Sequence, residues 1–406
     1  MAGVLDGVKV VSMELMEATP AASVWLADWG AEVIKVEPLT GDQFRGTPGA
    51  RVGGSWVELR DSVRVNPRFQ LLNRNKKSIA VDLKRPKGRD VVYRMVEQAD
   101  VFMSNNELSA LDRLSMDYET LRAVNPRIVY AFVNAYGTEG PDKDGPGYDR
   151  VSAWARAGFQ YTIGEPGAIP PSQRSGMMDR TVAPHLVCGV LAALLHRAKT
   201  GEGQKLGISL YHSAVWTIGG DIQTALTGEP LPRDDRTKAS NPLWSSYRTR
   251  DGRWLCLGML RPEPYWSPFC KAIGRPELEQ DPRFADSDKR RQNCQELVRI
   301  LDSHFATRDV ADWEDRCREY NLIYSRVQSP TEVTVDPQAL ANDFFVDLHH
   351  PAGPMKVIAS PVRFYQAPAS VRSPAPELGQ NSEEILLNLG YEREDIAGMK
   401  KEKIIS

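Results

Sequence analysis

The 406-residue sequence predicts an α/β fold, a parallel sheet covered by helices, joined to a smaller α+β domain. Three features carry this. Strand-like and helix-like segments alternate through the first 135 residues, the pattern of a parallel sheet with helical crossovers. Two stretches rich in proline and charge, at 229–242 and near 329–338, read as linkers and set off residues 243–328. Inside that segment Asp251-Gly252 separates two β-rich runs, a strong hairpin signal.

Taken in order, residues 8–13 are β-rich and 20–29 helical, with Pro20 suited to a first helical turn and Gly30 to a helix exit. Strands are expected at 32–37, 78–83, 101–104 and 128–135, and a helix at 86–99. A long apolar helix at 181–199 ends in the turn 200–203, a strand follows at 204–210, and one helix at 211–226 is closed by Gly228. Beyond the first linker, 246–250 and 254–259 form the hairpin, and helices are expected at 292–307 and 310–320. Two short helices end the chain, with Asn381 as the cap of the first. A sheet of this kind places its ligand beyond the carboxyl ends of its strands.

Composition excludes several classes. With 51 basic against 53 acidic residues the chain has no basic field of the kind that attracts nucleic acid or anionic membranes. No apolar run reaches the roughly 18–20 residues of a membrane span, and residues 1–15 lack a signal peptide's pattern, so a cytoplasmic protein without a membrane partner is expected. The cysteines Cys188, Cys256, Cys270, Cys294 and Cys317 are scattered without a CxxC pair, and His349-His350 would point to opposite faces of a strand; neither disulfide nor metal site is expected. Glu14-Leu15-Met16-Glu17 stands where a GxGxxG fingerprint would follow the first strand, and no GxxxxGK[ST] occurs, which removes the main support for a dinucleotide or P-loop site.

Four ordered segments are similar to the class III CoA-transferases of the CaiB/BaiF type, a family that includes α-methylacyl-CoA racemase and carnitine and formyl-CoA transferases. They are residues 26–37 (LADWGAEVIKVE) with Gly41-Asp42, residues 73–83 (NRNKKSIAVDL), Ala192-Leu194-His196-Arg197 with 199–204 (KTGEGQ), and Ala375-Pro376 with Leu378-Gly379. The resemblance implies a large Rossmann-like domain (1–228) to which residues 339–406 return, a small domain between the two linkers, and an interlocked homodimer of ring-like chains. It implies acyl-CoA and a carboxylic acid as small-molecule substrates, with the CoA thioester a substrate and no cofactor. Residues 140–144, Asn241-Pro242 and Ser246-Tyr247 look like segments of the cinnamoyl-CoA:phenyllactate branch, which implies a bulky, aromatic or 2-hydroxy acid. Trp244, Tyr247, Tyr265 and Trp266 would line such a site or fill the small domain's core.

CoA exchange without ATP needs a carboxylate that carries the acyl group as an anhydride and then CoA as a thioester. The family's nucleophilic Asp precedes the long central helix, and Gly176-Met177-Met178-Asp179 occupies that place. From position alone Asp179 caps the helix; the resemblance makes it the nucleophile, held ionised by the helix N-terminus. Tyr148, at the end of the loop 137–149, stands where the racemases place a catalytic His. Tyrosine is a poor base near neutrality, so transferase is favoured over racemase, and a packed aromatic is the alternative for Tyr148. Glu17 stands where formyl-CoA transferase has a glutamine, and would repel Asp179, bind a substrate hydroxyl, or serve as a first-turn helix acid. Asn73, Arg74, Asn75 and Lys76 are the expected CoA-diphosphate contacts, unless the lysine is simply solvated. The family's Asn-aromatic-Arg appears as Asn105-Asn106-Glu107, keeping Asn105 and leaving Lys143 as the replacement cation. A glycine-rich loop of formyl-CoA transferase is absent from residues 258–265, which disfavours a one- or two-carbon acyl group. The competing readings are an acyl-CoA racemase, an intramolecular CoA-transferase acting as an isomerase, and a non-catalytic acyl-CoA-binding subunit.

Overall fold

The computed structural model describes residues 2–46, 57–58, 64–174 and 176–406. The chain divides into two compact units, one formed by Met1–Gln160, Ser172–Glu229 and Gln338–Ser406, the other by Tyr161–Pro171 and Pro230–Pro337.

The first unit is built on six strands: β1 (Lys9–Met13), β2 (Glu32–Glu37), β3 (Lys77–Ala80), β4 (Val101–Ser104), β5 (Val129–Asn134) and β6 (Lys205–Ser209). They form one parallel sheet in the order β3-β2-β1-β4-β5-β6, with Val10 opposite both Val33 and Val101. The central strands are buried on both faces, which is why they read as apolar runs rather than alternating ones. On one face Val10 and Met103 pack with helix Ala18–Asp28 and helix Asp179–Thr200. On the other, Val11 and Phe102 pack with helix Pro86–Glu97 and the C-terminal helices Ser382–Asn388 and Arg393–Lys401. The strand order reverses between β1 and β4, so the crevice at their carboxyl ends is the topological switch point where such sheets bind ligands.

Several expectations are corrected in detail. Helix Asp179–Thr200 is, by length and composition, apolar enough to cross a membrane, although no such run was expected. Here it is a core helix, with Val182, Leu186, Val187 and Val190 buried in the same cluster as helix Ala18–Asp28. It stops at Gly201, whose φ of 82° is left-handed. The single helix expected at 211–226 is two, Leu210–Thr217 and Gly219–Ala225, because the poor helix formers Gly219-Gly220 follow the break at Ile218. Asn381 sits at the N-cap position but does not cap: its Oδ1 accepts from the Ser78 amide at 3.1 Å and its Nδ2 donates to Glu384.

In the second unit β7 (Ser246–Arg248), β8 (Trp254–Leu257) and β9 (Tyr324–Arg326) form an antiparallel sheet in the order β9-β8-β7, the first two joined through a turn with Gly252 at φ 77°. Tyr247, Leu255 and Leu257 pack on Trp266, Phe269, Phe305 and Trp313 from the helices Glu263–Ala272, Cys294–Phe305 and Val310–Glu319. Tyr247 and Trp266 are therefore core residues, whereas Trp244 is 57% exposed. Residues 161–171 belong to this unit, a membership that nothing in their local composition signals.

Candidate active site

At the end of β1 the chain makes a tight turn through Glu14–Glu17, with Met16 in the left-handed region at φ 62°. Backbone in that region costs a non-glycine residue about 1–3 kcal/mol and persists only where its surroundings impose it. Here the imposition is polar. Asn105, just past β4, accepts from the Leu15 amide (2.9 Å) and donates to the Leu15 carbonyl (2.7 Å), and Asn106 donates to the Met13 carbonyl at 2.9 Å. Asp42 accepts from the Met16 amide at 3.1 Å.

Beneath the turn lies a closed set of buried charges. Lys76 Nζ donates to Glu14 Oε1 at 2.6 Å, to the Pro20 carbonyl and to Asn73 Oδ1. Lys35 Nζ donates to Asp42 Oδ2 at 2.8 Å and to the Glu14 carbonyl, while Ser12 and Ser23 donate to Glu14 Oε2. All four charged side chains are fully or almost fully enclosed. Burial alone would raise the Glu14 pKa, but Lys76 and Lys35 overcome it and hold the carboxyl below its ordinary value. Burial pulls Lys76 down to about 8 against the attraction of Glu14.

The side chains expected at the CoA diphosphate are placed in and beside this arrangement. Lys76 is buried under the turn, and Asn73, also buried, donates to the Phe69 carbonyl. Arg74 is buried on Asp28, its Nη2 2.7 Å from Oδ2. Asn75, at φ 62°, donates to Asp28 and to the Ser370 carbonyl and accepts from the Arg372 and Ser373 amides. These side chains are spent inside the protein, as is that of Asn105.

Glu17 begins the next helix, yet its carboxylate does not cap it. It lies between two guanidiniums, Arg68 Nη2 on Oε1 and Arg180 Nη2 2.6 Å from Oε2. Arg68 is carried by helix Pro67–Asn73, whose start is set by Pro67 and by the Asn66 side chain accepting from the Arg68 and Phe69 amides. Arg180 follows Asp179 and also donates to the Gly176 carbonyl at 2.8 Å. Gly176, at φ 76°, lies so close that any Cβ there would overlap the Glu17 carboxylate. Burial pushes the Glu17 carboxyl up despite the two arginines, and neighbouring Asp149 adds to the shift.

Asp179 is the first residue of its helix, Met178 being the cap residue, so the expected capping bond is not made. The buried carboxylate of Asp149 accepts from the Met178 amide at 3.3 Å and fixes the turn that presents Asp179. Among the described residues no hydrogen bond reaches the Asp179 carboxylate. Burial foremost, then Asp149 and Glu17, push its carboxyl up to about 8, against the opposing pull of Arg180 and Arg68. The expectation that the helix N-terminus keeps it ionised is thus reversed: two carboxylates and burial outweigh the dipole.

The loop at 137–149 leads into a short π-helix, Arg150–Ala155, where the Arg156 amide reaches back five residues to the Val151 carbonyl. Tyr148 is 70% exposed, while the next residue, Asp149, points inward. Lys143 is exposed and, among the described residues, has no ion pair. The sequence brought Glu17 and Asp179 together but assigned no role to Arg68, Arg180, Asp149 or Gly176, of which Gly176 opens the Asp179 segment and Arg180 follows it. Two cavities at the amino end of β1 and β2, one reaching Lys9, Glu32 and Met95 and the other Gly3, Asn75 and Arg372, contain no comparable cluster.

Comparison with known proteins places this geometry in context. Residues 5–382 match the family model described as CoA-transferase family III. The chain is 33% identical over 402 residues to (R)-2-hydroxy-4-methylpentanoate CoA-transferase of Clostridioides difficile, covering 99% of each chain. It is 32% identical to cinnamoyl-CoA:phenyllactate CoA-transferase of Clostridium sporogenes, covering 98% of this chain and 97% of that one. The crystal structure of a CAIB/BAIF family protein from Brucella suis superposes with a TM-score of 0.85 at 26% identity, covering 96% of this chain and all of that one.

Proposed function

The chain belongs to CoA-transferase family III, and from that premise we propose that it moves CoA from an acyl-CoA donor to a bulky 2-hydroxy carboxylic acid through covalent intermediates on Asp179. The observation that carries the proposal is Asp179 itself, a carboxylate with no hydrogen-bond partner among the described residues, set beside two arginines near the switch point of the sheet. In the first half-reaction its carboxylate oxygen attacks the donor's thioester carbonyl, expelling CoA thiolate and leaving an aspartyl–acyl anhydride. The thiolate then attacks the aspartyl carbonyl, giving an aspartyl-CoA thioester and releasing the donor's acid as its carboxylate. An acceptor carboxylate repeats the steps in reverse, and Asp179 is regenerated. Every thioester or anhydride formed replaces one broken, so the route consumes no ATP, metal or nicotinamide.

The acid's class rests on two relatives named for 2-hydroxy-4-methylpentanoate and for phenyllactate, both 2-hydroxy acids with large side chains. A racemase would need a base facing Asp179 across the α-carbon; Tyr148 points to solvent and supplies none. The interlocked homodimer is supported by the apolar surface that Leu195, Trp216 and Leu226 of the first unit leave exposed. The test is a panel of acids with one acyl-CoA donor, each CoA ester counted by mass: 2-hydroxy-4-methylpentanoate and phenyllactate exceed acetate and formate in kcat/KM, and equal rates with the small acids would refute the assignment.

A further inference from the structure

Resting on the transferase reading, we propose that Arg68 and Arg180 form the receptor for the acid's carboxylate, and that Glu17 occupies this receptor when no acid is bound. Three observations carry it. Two guanidiniums from separate elements, helix Pro67–Asn73 and the first turn of helix Asp179–Thr200, converge on the two oxygens of one carboxylate. Their side chains are 26% and 37% exposed while that of Glu17 is 2% exposed, so the cations face the space from which a ligand arrives and Glu17 holds them from behind. Among the described residues Arg180 donates to Glu17 and the Gly176 carbonyl, which leaves donors of its five N–H groups for a second carboxylate.

The charge count explains why a receptor is needed here. Among the described residues Glu17 and Asp179 feel the two arginines and the added negative charge of Asp149, so the carboxylates here outnumber the cations. When Asp179 becomes a CoA thioester it loses its charge, and in the same half-reaction a free carboxylate is produced. When the acceptor is acylated, its charge disappears and that of Asp179 returns. One negative charge thus passes between Asp179 and the acid throughout the cycle, and the arginine pair sits where it can neutralise either holder. A planar guanidinium suits this task better than an ammonium, because it binds carboxylates through parallel bonds. Burial holds Glu17 less firmly ionised than a surface ion pair would, which lets a substrate carboxylate compete for its arginines.

The experiment compares the wild-type enzyme with Arg68→Met, Arg180→Met, Arg180→Lys and Glu17→Gln. KM is measured separately for the acyl-CoA donor and for sodium 2-hydroxy-4-methylpentanoate, and the acid's Kd by calorimetry. Either Met variant is expected to raise the acid's KM and Kd by about tenfold or more while donor KM stays within about threefold, with Arg180→Lys in between. Glu17→Gln, which vacates the receptor, is expected to tighten acid binding. Equal rises for donor and acid, or unchanged acid binding in Glu17→Gln, would overturn the receptor and leave the Glu17 ion pairs a purely structural feature. If the arginine variants do not fold, Glu17→Gln decides alone, since the receptor predicts a gain. If the wild type forms no CoA adduct from any donor, the transferase reading fails, while the calorimetric comparison still decides whether the arginines hold a carboxylate.

Discussion

Below the turn at residues 14–17, Glu14 and Asp42 meet Lys35 and Lys76 one for one, and every charged atom is bonded to another or to a hydroxyl, amide or carbonyl. At the end of the same turn, among the described residues, Arg68 and Arg180 pair with Glu17, while Asp149 and Glu17 crowd Asp179, which makes no ion pair. The first cluster is closed to solvent and saturated, as a buried charge set must be if it is not to destabilise the fold. The second is partly open and, among the described residues, leaves the Asp179 carboxyl without an ion pair. The saturated set fixes the backbone that presents Glu17, and the unsaturated one holds the Asp179 carboxyl well above its ordinary value.

The contrast is broken most severely at Asp179. Asp179→Asn is expected to lower kcat by roughly 10³-fold or more while leaving the fold intact, because it removes the proposed nucleophile and not a packing contact. The same variant carries a stability signature. An unfolded aspartate titrates near 4, whereas in the folded chain the group titrates at about 8, so between those values the folded state holds a proton that the unfolded state has lost. Stability of the wild type therefore falls as pH rises through this window, and Asp179→Asn should exceed it in Tm by a margin that grows from about pH 6 to about pH 9. A margin that shrinks with pH would remove the crowded-carboxylate account.

In the saturated cluster the expected effect falls on stability. Lys76→Met leaves Glu14 buried without its closest cation and should cost about 3–5 kcal/mol in denaturant unfolding. Glu14→Gln combined with Lys76→Met should cost less than the two singles together, since each removes the other's unpaired partner. Additive losses would mean that the pair does not act as one unit. A smaller and mixed effect is expected at the junction of the clusters: Gly176→Ala imposes roughly 1–3 kcal/mol of backbone strain and drives a methyl into Glu17, so activity should fall by about tenfold or more with a modest loss of Tm. The smallest is at Tyr148, where the exposed ring makes Tyr148→Phe a surface change, with kcat/KM expected within about threefold of wild type.

The apolar runs of β1 and β4 and the long central helix were legible because burial on both faces writes itself into contiguous hydrophobic sequence. The candidate Asp179 came from the family resemblance, its place before that helix alone giving only a helix cap. Lys76 was misread because, within NRNKK, a lysine looks solvated, and its partner Glu14 lies 62 residues away. A signal did exist: Lys35 sits inside Val33–Val36, and a charge in a doubly buried strand requires a buried partner. Arg68 gave no such sign, being 51 residues from Glu17 on a short helix. The pKa direction at Asp179 was missed for the same reason, since a helix end can be read from local sequence but the approach of Asp149 and Glu17 cannot.

The most direct test of the account is to mix the enzyme with an acyl-CoA donor in the absence of acceptor and examine the peptide Met177-Met178-Asp179 by mass spectrometry. Asp179 is expected to carry CoA as a thioester that hydroxylamine converts to the hydroxamate, to form faster at about pH 9 than at about pH 6 as the carboxyl loses its proton, and to be missing in Asp179→Asn. Turnover by the wild type without any donor-dependent adduct at Asp179, or full turnover by Asp179→Asn, would contradict it.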